Sequence, residues 1–125
     1  MICGIGTDIA QVSRFEKWVK QSEMIERFFN EKERCRQGAK SEAAKCQHYA
    51  ARFAAKEAFS KALGTGISGF SLQEVYIVND ENGKPILKVE GAALNILKEK
   101  FGECRLFVSL SHEKEYATAF VVIEK

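Results

Sequence analysis

One proline, two histidines, one tryptophan and two methionines in 125 residues rule out several kinds of architecture and site. With Pro85 as its only proline, the chain has no proline-rich linker, and no repeat or low-complexity tract divides it. One domain spanning residues 1–125 is therefore expected. No run approaches the roughly 18 apolar residues of a membrane span, so no membrane partner is expected. The opening MICGIGTDIA lacks the basic start and long apolar core of a secretory signal. A cytoplasmic location follows as the expectation, with Cys3, Cys35, Cys46 and Cys104 kept as free thiols. There is no C-x-x-C pair. Cys46 and His48 stand two apart, but no second ligand pair follows at zinc spacing. No arginine-rich run interleaves with aromatics, which argues against a nucleic-acid partner. No serine or cysteine sits in a motif that would activate it as a nucleophile.

The residues present are 46% hydrophobic and 29% charged, enough for a real core in a soluble chain. Charge is uneven. Residues 1–64 carry 12 Lys and Arg against 8 Asp and Glu, whereas residues 65–125 carry 7 against 9. The first half thus presents a mild positive field, either as a solvated helical surface or toward an acidic partner.

The pattern predicts an α+β domain in which a long helix packs on a mostly antiparallel sheet. Ile2 to Ile9, rich in β-branched residues and glycine, reads as a first strand. Ser13, with Glu16 three residues on, suggests a capping box opening a helix to about Lys20, and residues 22–36 suggest one or two more short helices. Residues 41–63 are alanine-rich and free of glycine and proline, and they form the strongest helical segment, ending at Gly64. Apolar runs near 72–78 and 85–90 flank Asn82-Gly83, a hairpin signal. Gly91 opens a further helix to about Lys100. Residues 105–111 and 117–123 then read as an antiparallel hairpin.

Several residues fit this scheme uneasily. At 100° per residue, Cys46, Ala50, Phe53 and Glu57 share one stripe of the long helix, which puts a carboxylate in line with core residues. Lys61 lies four residues on. Glu57 is either half of an exposed Glu–Lys pair or an acid with a task. Asp8 shares a strand face with Gly4 and Gly6, an open face suited to the close approach of another group. Gly64-Thr65-Gly66 is either a helix C-cap or a loop that can wrap a phosphate. It is no Walker loop, and residues 4–9 are no dinucleotide fingerprint. Ser109-Leu110-Ser111-His112 places two hydroxyls and a histidine at one strand end, another corner able to hold a phosphate.

Taken together, Gly-Ile-Gly-Thr-Asp-Ile (4–9), Arg-Phe-Ala-Ala-Lys-Glu-Ala-Phe-Ser-Lys-Ala-Leu-Gly-Thr-Gly (52–66), Gly-Lys-Pro (83–85) and Ser-Leu-Ser-His-x-x-x-Tyr-Ala (109–117) resemble the holo-acyl-carrier-protein synthases, the small bacterial branch of the 4′-phosphopantetheinyl transferases. The resemblance implies a Mg²⁺-dependent enzyme of fatty acid biosynthesis. Its substrates would be coenzyme A and an apo acyl carrier protein, and it would form a homotrimer with active sites between subunits. It makes Asp8 and Glu57 the metal ligands, with Lys61 completing a catalytic group against the pyrophosphate. Arg52 and His112 would hold nucleotide phosphates with Ser109 and Ser111 beside them, Gly64, Thr65 and Gly66 would line the phosphate site, and Pro85 would border the nucleotide pocket. Arg14 would contact the carrier protein. Arg27, Lys32, Arg34 and Arg36 are further basic candidates that no motif fixes. Thr7 stands where the family pattern has a more apolar residue.

Overall fold

The computed structural model describes residues 1–125 except 37 and 39. The elements are β1 (Ile2–Gln11), α1 (Glu16–Lys20), α2 (Glu23–Phe28), α3 (Glu42–Leu63), β2 (Val75–Asn79), β3 (Pro85–Val89), α4 (Gly91–Phe101), β4 (Arg105–His112) and β5 (Tyr116–Glu124). Strands β1, β5 and β4 form an antiparallel sheet in that order, and β2 and β3 form a separate hairpin. The fold is thus α+β, built around a long helix on an antiparallel sheet.

Helix α3 begins at Ser41, whose hydroxyl accepts from the Ala44 N–H, and ends at Gly64 in the left-handed conformation (φ 85°) that glycine adopts without strain. Ala50, Ala54, Ala55, Ala58, Phe59 and Leu63 on this helix are fully buried. Facing them are Gly4 and Gly6 of β1 and the buried Ala117, Ala119, Val121 and Ile123 of β5. Small residues on both sides bring helix and sheet close together. A Cβ built at Gly6 would lie 1.8 Å from the Ala58 carbonyl oxygen, and one at Gly4 2.0 Å from that of Ala62. The group for which the glycine face leaves room is therefore the backbone of α3 itself.

The Ser13 capping box does not form. Residues Val12–Phe15 make a 3₁₀ turn, Phe15 takes the position before α1, and neither start has a side-chain cap. Val12 and Phe15 are buried there, so core packing sets the start of this segment. Capping boxes occur instead at Asn30/Glu33 and Ser71/Glu74, each opening a 3₁₀ turn. Among the described residues, no helix is long and apolar enough to cross a membrane.

The sheet face turned away from α3 is open and largely apolar. Ile5 (64% exposed), Ile9 (62%) and Phe120 (53%) lie on it with Phe107. The register sets Ile5, Val122 and Phe107 in one row and Thr7, Phe120 and Ser109 in the next.

Candidate active site

The close contact between α3 and β1 places Asp8 beside the middle of the helix. The Lys61 ammonium donates to Asp8 Oδ1 and to the Thr7 carbonyl, both at 3.0 Å. Asp8 is half-buried, and its strand partner on β5 is Ala119, too small to cover it. Glu57, one turn before Lys61, has its pKa raised above the ordinary carboxylate value, chiefly by burial and then by the negative charge of Asp8. Lys61 and Arg14 oppose that rise. Two acids thus face each other with lysine as the close counter-charge.

This pair suits a hard divalent cation. Mg²⁺ takes oxygen ligands and commonly keeps several positions for water and substrate phosphates. Two carboxylates leave those positions free, and the Asp8 repulsion that adds to burial in raising Glu57 is what a cation would relieve. Among the described residues no group of three or more His, Cys, Asp or Glu gathers at one point, so the remaining ligands would have to come from substrate or water.

A second feature lies toward the N-terminal end of α3. Arg52, Pro85 and His112 line one cleft of about 660 Å³, together with Lys40, His48 and Asn79. His48 is neutral, its pKa lowered to about 4 by burial and by the Arg52 charge. Its Nε2 donates to the Glu33 carbonyl at 2.7 Å while Nδ1 accepts from Lys40 at 3.1 Å, so neither nitrogen is free for a metal shared with Cys46, which is itself buried in the core. Arg52 also has its pKa lowered by burial, and its Nε is buried with no hydrogen-bond partner. The cleft therefore has a cationic wall of Lys40 and Arg52.

The remaining candidates are spread out. Gly64 to Gly66 lie at the far end of α3, about 18 Å along the helix from Arg52, so within one chain these two ends address different parts of a ligand. The Thr65 hydroxyl donates to the Gly66 carbonyl at 3.1 Å. The Ser109–His112 corner is divided: strand alternation turns Ser109 and Ser111 onto the open sheet face, whereas His112 lines the cleft on the α3 side. Arg14 stacks over Phe53 with its guanidinium carbon 4.9 Å from the ring centroid. Arg34 is engaged in closing α2, donating to the Glu26 and Phe29 carbonyls, so it is a poor candidate for a carrier contact.

The 4′-phosphopantetheinyl transferase superfamily model matches residues 4–121. A holo-acyl-carrier-protein synthase of Treponema denticola is 48% identical over 99% of both chains. The chain belongs to the holo-acyl-carrier-protein synthase family of 4′-phosphopantetheinyl transferases. Its structure is similar to that of the synthase from Neisseria meningitidis (39% identity, TM-score 0.83, all of both chains). It is also similar to that of the synthase from Bacillus anthracis, solved in complex with coenzyme A (3′,5′-ADP) (41% identity, TM-score 0.80, 100% of this chain and 98% of the other).

Two features of this transferase escaped sequence reasoning. The first is a buried ion pair of Lys56 with Glu33. Lys56 also donates to the Leu72 (3.0 Å) and Val75 (2.6 Å) carbonyls, while Glu33 accepts from the Asn30 and Ile77 N–H groups. Immediately before Glu57, this network ties the α2–α3 connection and the start of β2 to α3. Its sequence signal was faint: Asn30-x-x-Glu33 has the capping-box spacing, but Lys56 reads as one more charge on a long helix. The second is Asn79, which no motif marked.

Proposed function

We propose that this transferase moves the 4′-phosphopantetheine group of coenzyme A onto a serine hydroxyl of an apo acyl carrier protein, releasing adenosine 3′,5′-bisphosphate, as a Mg²⁺-dependent step of fatty acid biosynthesis. The observation that carries the reading is the Asp8–Lys61 contact at 3.0 Å beside the perturbed carboxylate of Glu57, which joins two of the segments that carry the family resemblance. In the reaction the carrier serine oxygen bonds to the pantetheine-side phosphorus, the anhydride P–O bond breaks, and the bisphosphate departs. Catalysis of this kind is mostly positioning and neutralisation of charge. Asp8 and Glu57 would hold the Mg²⁺, which would neutralise charge on the pyrophosphate. Lys61 is placed to exchange part of its contact with Asp8 for a phosphate oxygen of the leaving group. Glu57 accepts the serine proton directly or through one water. Arg52 and His112, with Pro85 bordering them, form the cleft wall for the nucleotide end.

The arrangement needs no internal nucleophile, in keeping with a chain that offers none in an activating motif. Residues 1–125 act as one transferase domain. Arg14, held over Phe53 next to Glu57, contacts an acidic carrier. Assembly is as a homotrimer, supported by the family resemblance and by the open apolar face of β1, β5 and β4, which a second copy would cover. Ser109 and Ser111 on that face, and Gly64 to Gly66 at the far end of α3, lie away from the cleft of their own chain, as residues serving a site between subunits would. The enzyme works in the cytoplasm, supported by its free thiols. Apo carrier protein incubated with coenzyme A, Mg²⁺ and this protein gains the mass of one phosphopantetheine, read by mass spectrometry. Absence of that gain across several carriers refutes the proposal.

A further inference from the structure

Arg52 owes its place in the cleft wall to a residue outside every motif. Its Nη2 donates to Asn79 Oδ1 at 3.0 Å and its Nη1 to the His48 carbonyl at 3.4 Å. Asn79 ends β2, opposite Pro85. Its own Nδ2 donates to the Gly83 carbonyl at 2.8 Å, which settles which side of the amide faces Arg52. The Gly83 carbonyl is fixed in turn. Asp80 Oδ1 accepts from the Asn82 (2.8 Å) and Lys84 (2.9 Å) N–H groups, and the Gly83 N–H donates to the Asp80 carbonyl. A rigid turn thus orients an amide, and the amide orients a guanidinium.

The anchor is neutral. A carboxylate at position 79 would hold Arg52 as well or better but would cancel its charge. An amide fixes the geometry and leaves the positive charge for a ligand.

We propose that Asn79 is a positioning residue for coenzyme A: it holds Arg52 with its charge uncancelled, facing the phosphates at the nucleotide end. This rests on the reading of Arg52 as a phosphate contact. The test is steady-state kinetics of Arg52→Ala, Asn79→Ala, the double variant and Asn79→Asp, varying coenzyme A and carrier separately. Asn79→Ala is expected to raise KM for coenzyme A about tenfold, with the change in KM rather than kcat and no change in carrier KM. The double variant is expected to be no worse than Arg52→Ala alone, because Asn79 acts through Arg52. Asn79→Asp retains an acceptor for Arg52 but loses the donor to the Gly83 carbonyl, so its melting curve is read alongside; it is also expected to raise KM for coenzyme A. A double variant whose loss multiplies those of the two singles, or an Asn79→Asp enzyme with wild-type KM, overturns the proposal. An Arg52→Ala enzyme with unchanged KM for coenzyme A removes the reading of Arg52 and the proposal with it.

Discussion

Replacing Gly6 by alanine tests whether the close packing of α3 on β1 sets the catalytic geometry. The added Cβ would stand 1.8 Å from the Ala58 oxygen and 2.8 Å from both the Ala58 carbon and the Ala62 nitrogen. All three are backbone atoms of a buried helix, so no side chain can swing aside. Restoring a contact of 3.0 Å requires helix and strand to separate by about 1.2 Å. Overpacking of a core costs about 1–3 kcal/mol, and a clash confined to backbone belongs at the upper end. For a chain of this length, about 3 kcal/mol lowers Tm by about 10 °C. The shift passes directly between the elements that carry the proposed site, because Asp8 is on β1 while Glu57 and Lys61 are on α3. Misplacement by about 1 Å can reduce turnover about a hundredfold. Circular dichroism gives the melting curve, and carrier mass gain at 25 °C gives turnover where the variant is still folded. Wild-type Tm refutes the packing argument. A lowered Tm with wild-type turnover refutes the link between packing and catalysis.

Glu57→Gln, which keeps shape but loses charge, should remain folded and lose at least about a hundredfold in turnover. The raised pKa of Glu57 also gives its stability effect a sign: the wild-type contribution is fully present below the ordinary value of 4.5 and is lost as pH rises through the higher folded value. Melts across that interval should show the Tm of Glu57→Gln rising relative to that of wild type as pH rises, and a relative fall or no change contradicts the raised pKa of Glu57. Glu33→Gln leaves the Lys56 ammonium buried without its counter-charge and should cost about 3–5 kcal/mol in urea unfolding. Phe120→Asp puts a charge on the open sheet face; under the proposed trimeric assembly, sedimentation should give the mass of three chains for the wild type and of one for the variant.

Element order was legible in the sequence because each element announces itself locally. Residues 41–63 hold no glycine or proline, and Asn82-Gly83 stands between two apolar runs that do pair as β2 and β3. The starts of short helices were not legible. Ser13 and Glu16 have the capping-box spacing, but burial of Val12 and Phe15 decides the backbone there, and burial depends on residues far along the chain. The candidate site shows the same division. Asp8, Glu57 and Lys61 were found as polar residues on apolar or glycine faces, an oddity visible within one element. Lys56 and Asn79 sit in no such local contradiction. Their importance comes from partners 23 and 27 residues distant, and only the fold supplies those.

Gly4 and Gly6 show how far local reading goes: it finds the open face but not what approaches it. Their open face does indicate close approach, but what approaches is α3 rather than a ligand. Every atom of side chain removed from β1 at these positions lets the helix move nearer, and nearness is what sets Lys61 within 3.0 Å of Asp8 and exposes Glu57 to Asp8's charge. Burial of Glu57 and the charge of Asp8 together disfavour its ionised form until a cation or a proton relieves it. Packing on the apolar side of the helix thus maintains the electrostatic demand on its polar side.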